Sequence, residues 1–198
     1  MSDVEFLFDF GSPNAYLAWK AMQTMEAFKT AEIKTTPVLL GGIFKSTGNT
    51  PPMLAFGSVP AKMRYLGTEM ERFQTRHGIT DFQFNPNFPV NTLMLMRGCF
   101  VAIGEGYLDE YLAAGFHHIW EAGTKMDDPD TFAKAFNDAG LDGAHILARS
   151  QEPAIKKALM DSTQAAVDRD VFGIPSFFVG DDLYFGKDTL WEIAERVG

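Results

Sequence analysis

One serine stands where an apolar run turns into a helical pattern, in Phe8-Asp9-Phe10-Gly11-Ser12-Pro13-Asn14-Ala15-Tyr16-Leu17-Ala18. Unpaired backbone N–H groups and the positive end of the helix dipole meet at such a junction and favour an anion. Ser12 has two compatible readings there. As a helix cap before Pro13 its oxygen accepts a hydrogen bond. Its proton is then left to donate, and a thiolate held at the helix start is the anion that this donor would stabilise. A nucleophilic Ser12 has less behind it. No Gly-x-Ser-x-Gly elbow is present, and His77, His117, His118 and His145 fall in helical patterns, so they reach Ser12 only through the fold.

Two segments near the C-terminus add to this chemistry. In Val171-Phe172-Gly173-Ile174-Pro175-Ser176-Phe177-Phe178-Val179 a proline opens a second apolar strand. The plain reading is a proline at a permitted strand position. With a cis Ile174–Pro175 bond, the Ile174 backbone would face an extended, peptide-like ligand. In Gly186-Lys187-Asp188-Thr189 the plain reading is a loop and a helix cap. The functional reading is an open helix start with Thr189 for a ligand carboxylate and Asp188 for an ammonium, the two charges of a γ-glutamyl group.

The elements that must position these groups follow from patterning. Val4–Phe10 reads as a buried strand, Pro13 as the first turn of a helix, and Ile33–Leu40 as a second strand ending at Gly41-Gly42. Strand, helix and strand in this order imply a parallel pair with a right-handed crossover. Ser46–Pro52 and Asn85–Asn91 read as loops. Helical patterns cover Pro60–His77, with Gly78 as its stop, and Thr92–Gly104, Leu108–Glu121, Pro129–Asp138 and Glu152–Asp170. Ser176–Val179 and Leu183–Phe185 read as a hairpin, and Thr189-x-x-Glu192 as a capping box for the last helix. The expected fold is α/β: a discontinuous domain of residues 1–44 and 160–198 around an all-helical insertion of residues 45–159.

Composition narrows the function. A formal net charge of −9 and the lack of a basic, aromatic-studded stripe argue against nucleic acid. No apolar run approaches the roughly 18 residues that span a bilayer. The start shows no basic-then-apolar leader, so a cytoplasmic, membrane-free protein is expected. A single cysteine, Cys99, excludes an intrachain disulfide and reads as a buried structural thiol. His117 and His118 are neighbours rather than an i, i+4 pair, so no metal is expected.

Taken together, the segments resemble the 2-hydroxychromene-2-carboxylate isomerase family, related to kappa-class glutathione transferases and DsbA-like thioredoxin-fold proteins. The match includes Phe8–Ala18, Pro37–Lys45, Gly48–Pro52, Pro60–Lys62, Phe172–Ser176 and Phe185–Asp188. The resemblance implies a thioredoxin-like domain with a helical insertion, a homodimer, and glutathione as cofactor or cosubstrate. By position, Ser12 is similar to the family's catalytic serine at the glutathione sulfur. Ile174, before a cis Pro175, is similar to the residue whose backbone pairs with the cysteinyl unit, and Asp188 and Thr189 to the γ-glutamyl contacts. Asn49 and Lys62 resemble contacts to glutathione or an acid substrate, and Asn91 a substrate contact. The implied reaction opens a chromene carboxylate to a benzylidene pyruvate, by thiolate addition, rotation about a transient single bond and elimination. A kappa-like transferase that keeps the thioether, and a noncatalytic protein that uses the peptide groove, are the competing readings.

Overall fold

Strand β1 (Val4–Phe8) lies in the middle of the sheet because nearly every side chain on it is apolar and buried. The computed structural model describes residues 4–198. β1 pairs in parallel with β2 (Ile33–Pro37) on one side and antiparallel with β3 (Ser176–Val179) on the other; β3 pairs antiparallel with β4 (Asp182–Phe185). The order β2-β1-β3-β4 brings both ends of the chain into one sheet. Strand alternation puts Phe6 and Phe8 on one face, where Phe6 stacks on Phe177, its partner in the β1–β3 register, at 5.3 Å between centroids.

The expected parallel crossover is present: α1 (Pro13–Met22) and α2 (Glu26–Thr30) connect β1 to β2. Between β2 and β3 run α3 (Leu40–Thr47), α4 (Pro52–Ala55), α5 (Pro60–His77), α6 (Leu93–Glu105), α7 (Leu108–Trp120), α8 (Pro129–Asp138), α9 (Gly143–Arg149) and α10 (Pro153–Val167); α11 (Leu190–Val197) closes the chain. Among the described residues no helix is long and apolar enough to cross a membrane.

Three expectations need correction. β2 stops at Pro37, and Gly41-Gly42 lie inside α3, because the Leu40 N–H that starts this helix is taken by the Asp9 carboxylate at 2.7 Å. Glycines inside a helix are weak formers, so the sequence pattern there reads as a strand end. The patterning gives no bounds for α9, the helix that holds His145; Asp142 caps it through the His145 N–H. The Thr189 capping box does not form, because that hydroxyl donates to the Gly186 carbonyl at 2.8 Å and closes a 3-10 turn over Lys187–Thr189.

On the other face of β1, Glu5 accepts hydrogen bonds from Arg169 at 2.6 Å, Thr36 at 2.7 Å and Lys34 at 3.0 Å. Burial alone would raise its pKa, but the three donors outweigh burial and lower it from 4.5 to about 2. A depressed folded-state pKa contributes stability above the unfolded value, and that contribution is lost as pH falls through the folded one. Glu5→Gln should therefore cost about 1–3 kcal/mol near neutral pH. The gap between parent and variant, measured by denaturant unfolding, should narrow as pH drops from 4.5 toward 2. A gap independent of pH would mean that the Glu5 charge does not hold these three elements together.

Candidate functional site

Ser12 is the N-cap of α1, with extended backbone (φ −97°, ψ 113°) and Pro13 in the first turn. Its Oγ accepts from the Ala15 N–H at 3.2 Å and donates to the Ile174 carbonyl at 3.0 Å. The proton expected to stay free is thus given to a backbone oxygen 162 residues away, and this bond joins the α1 start to the Pro175 segment. The Ile174–Pro175 peptide is cis. The Ile174 N–H makes no hydrogen bond among the described residues. The Pro175 carbonyl accepts from the Gly186 N–H at 2.9 Å, which sets the 3-10 turn beside the same segment.

These bonds bring together Ser12, Ile174, Pro175, Asp188 and Thr189. The Asp188 side chain is exposed and its carboxylate lies 3.1 Å from the Lys187 ammonium. Asn49 joins the group from the loop after α3, its amide donating to the Phe172 carbonyl at 2.7 Å. Lys62 and Asn91 make other contacts. Lys62 lies over the Phe56 ring, 3.2 Å from its centroid. Asn91 accepts from the Leu93 N–H at 3.0 Å and donates its own N–H to Asp127 at 3.4 Å. The residue after it, Thr92, packs on the Ser12 turn so closely that a Cβ on Gly11 would sit 3.2 Å from its methyl.

The sequence assigns no role to four residues near the site: Asp9, Asn14, Lys187 and Glu69. Asp9 is buried and accepts from the Gly11 N–H at 2.8 Å as well as from Leu40, so one carboxylate ties β1, the Ser12 turn and α3 together. Burial pushes its pKa up, against the backbone bonds from Gly11 and Leu40 and the Thr92 hydroxyl. An Asp two residues before a glycine at a strand end is an Asx-turn signal that could have marked it. Asn14, in the first turn of α1, has a shielded Oδ1 without a hydrogen-bond partner among the described residues. Lys187 is only 2% exposed and pairs with Glu69 of α5 as well as Asp188; nothing local in the sequence marks that long-range pair.

The rest of α1 is anchored by Glu121, which accepts from the Tyr16 hydroxyl at 2.8 Å and from Lys20 at 3.0 Å. Cys99 is fully buried, and burial raises its thiol pKa well above the ordinary value, with the nearby Asp9 charge adding to the effect. Such a thiol is inert. No group of three or more His, Cys, Asp or Glu side chains is arranged for a metal among the described residues.

Residues 3–198 match the family model described as a DSBA-like thioredoxin domain. The chain belongs to that family. This DSBA-like protein is 26% identical to a 2-hydroxychromene-2-carboxylate isomerase of Pseudomonas putida, over 98% of the chain and 94% of the relative. It is 24% identical to glutathione S-transferase kappa 1 of Rattus norvegicus, over 98% and 90%. A solved 2-hydroxychromene-2-carboxylate isomerase superposes with a TM-score of 0.83 at 25% identity, covering 98% of this chain and 93% of that one. The DSBA-like family is thus matched from end to end, helices α3–α10 included.

Proposed function

We propose that this protein is a glutathione-dependent isomerase of aromatic acids of the 2-hydroxychromene-2-carboxylate type. The observation that carries the reading is the Ser12–Ile174 bond: a hydroxyl at a helix start, beside a backbone N–H that has no partner among the described residues. Glutathione fits these residues and, when bound, supplies a thiol nucleophile that the chain itself lacks at this place.

Each residue then has a definite task. Ser12 turns its proton from the Ile174 carbonyl to the sulfur, at the positive end of α1, and so favours the ionised thiol. That turn releases the Ile174 carbonyl, which together with the Ile174 N–H pairs with an extended ligand backbone as an added strand would. Asp188 holds the γ-glutamyl ammonium, and Thr189 with the helix start beyond it receives the adjoining carboxylate. Asn49 fixes the 172–175 segment through the Phe172 carbonyl, while Lys62 is assigned to glutathione or the acid substrate and Asn91 to the acid substrate. Serine suits this role better than cysteine, whose thiolate would attack the disulfide form of the ligand, keeping one half as a mixed disulfide and releasing the other as a thiol.

The full-length relationship to a kappa-class transferase favours one second reading, conjugation without elimination. Product identity separates the two. Incubation with a chromene carboxylate and glutathione should give the isomerised acid with the thiol recovered unchanged. A thioether formed with equal loss of thiol would assign the protein to transfer instead. Absence of glutathione binding by calorimetry would overturn both.

A further inference from the structure

The γ-glutamyl corner of the proposed site contains three charges rather than one. Lys187 is almost fully buried, and its ammonium contacts Glu69 on one side and both Asp188 oxygens, at 3.1 and 3.3 Å, on the other. The Phe73 ring lies beneath it, 4.8 Å from centroid to Nζ. Glu69 and Phe73 are four residues apart on α5 and share one face of that helix, so the side chain of Lys187 is held by α5 from the far side of the sequence. A buried ammonium must be paired, and two carboxylates compete to pair it.

The balance of these charges decides what the corner attracts. With Asp188 alone, Lys187 would neutralise the pair and leave nothing for a ligand cation. With Glu69 present, the three groups sum to −1. Exposure then says where that charge is offered: the Asp188 side chain is 68% exposed, Glu69 28% and Lys187 2%. We infer that Glu69, acting through Lys187, determines the specificity of this corner: it supplies the second carboxylate for the buried ammonium and so leaves a net negative charge, offered at the exposed Asp188, that selects ligands carrying an ammonium. This inference rests on the reading of Asp188 as the γ-glutamyl contact.

The test compares glutathione with glutaryl-cysteinylglycine, the same ligand without its α-amino group, by calorimetry on the intact protein. The parent should prefer glutathione by about tenfold, the equivalent of roughly 1.4 kcal/mol. Glu69→Gln should bring the ratio close to one, mainly by weakening glutathione. The double variant Glu69→Gln/Lys187→Met again sums to −1, with an apolar stem in the buried position, and should recover the preference. A purely structural role for Glu69 would weaken both ligands alike and would not be rescued by removing a second charge. An undiminished ratio in Glu69→Gln, or a double variant that stays indifferent, overturns the inference alone. A parent that binds neither ligand overturns the glutathione reading and this inference with it.

Discussion

Replacing Ser12 with alanine should raise the pKa of a glutathione thiol bound at the start of α1 by about one to two units, and slow turnover roughly ten- to a hundredfold at neutral pH. One charge-assisted hydrogen bond is removed, worth about 1.5–3 kcal/mol to the ionised sulfur. The dipole of α1 remains, so part of the depression should survive. Thiolate absorbance in the ultraviolet, followed against pH, reads the shift directly, and the acid limb of the kcat/KM profile should move by the same amount. Alanine also deletes the cap on the Ala15 N–H and leaves the Ile174 carbonyl without its donor. That lowers stability by about 0.5–2 kcal/mol, a loss that unfolding curves measure separately from the thiol. An unchanged thiol pKa in a folded, glutathione-binding variant would remove Ser12 from the chemistry and reduce it to a cap.

The residues of the proposed site differ in how far the sequence betrays them. Ser12, Ile174, Pro175, Asp188 and Thr189 each stand at a local signal: a cap before a proline, a proline at a strand mouth, a glycine before a polar turn. Local signals also placed α5 and α8 well, since Pro60 and Gly78 bracket one and Asp128-Pro129 opens the other. What escaped depends on partners distant in sequence. α3 owes its first hydrogen bond to Asp9, 31 residues earlier, and its Gly41-Gly42 pair hides the helix. Lys187 looks like a surface lysine until Glu69, 118 residues away, is seen to cover it. In the sequence the Ser12 proton looks free, because its acceptor, the Ile174 carbonyl, is supplied by the other end of the chain. A hydroxyl's position is a local property, whereas its acceptor is set by topology.

The same dependence of the site on remote packing predicts the largest stability loss, at Trp120. This indole is fully buried at the end of α7, and its Nε1–H donates to the Phe10 carbonyl at 2.7 Å, two residues before Ser12. Its ring stacks on Phe82, with centroids 5.8 Å apart and planes 20° off parallel, and meets Phe84 and Phe88 at 5.9 and 6.0 Å. Trp120→Ala therefore opens a cavity and strands a buried carbonyl at once. The cavity alone should cost about 3–5 kcal/mol, against a total stability of about 5–15 kcal/mol for a domain. Trp120→Phe refills most of the space and loses the N–H, so it isolates the bond, at about 1–3 kcal/mol. Denaturant midpoints of parent, Phe and Ala proteins should fall in that order. The Phe variant should also weaken glutathione binding, because the Phe10 carbonyl it releases belongs to the turn that aims Ser12. A Phe variant as stable as the parent would show that the indole N–H is not what fixes this turn, and that Asp9, through Gly11 and Leu40, holds it unaided.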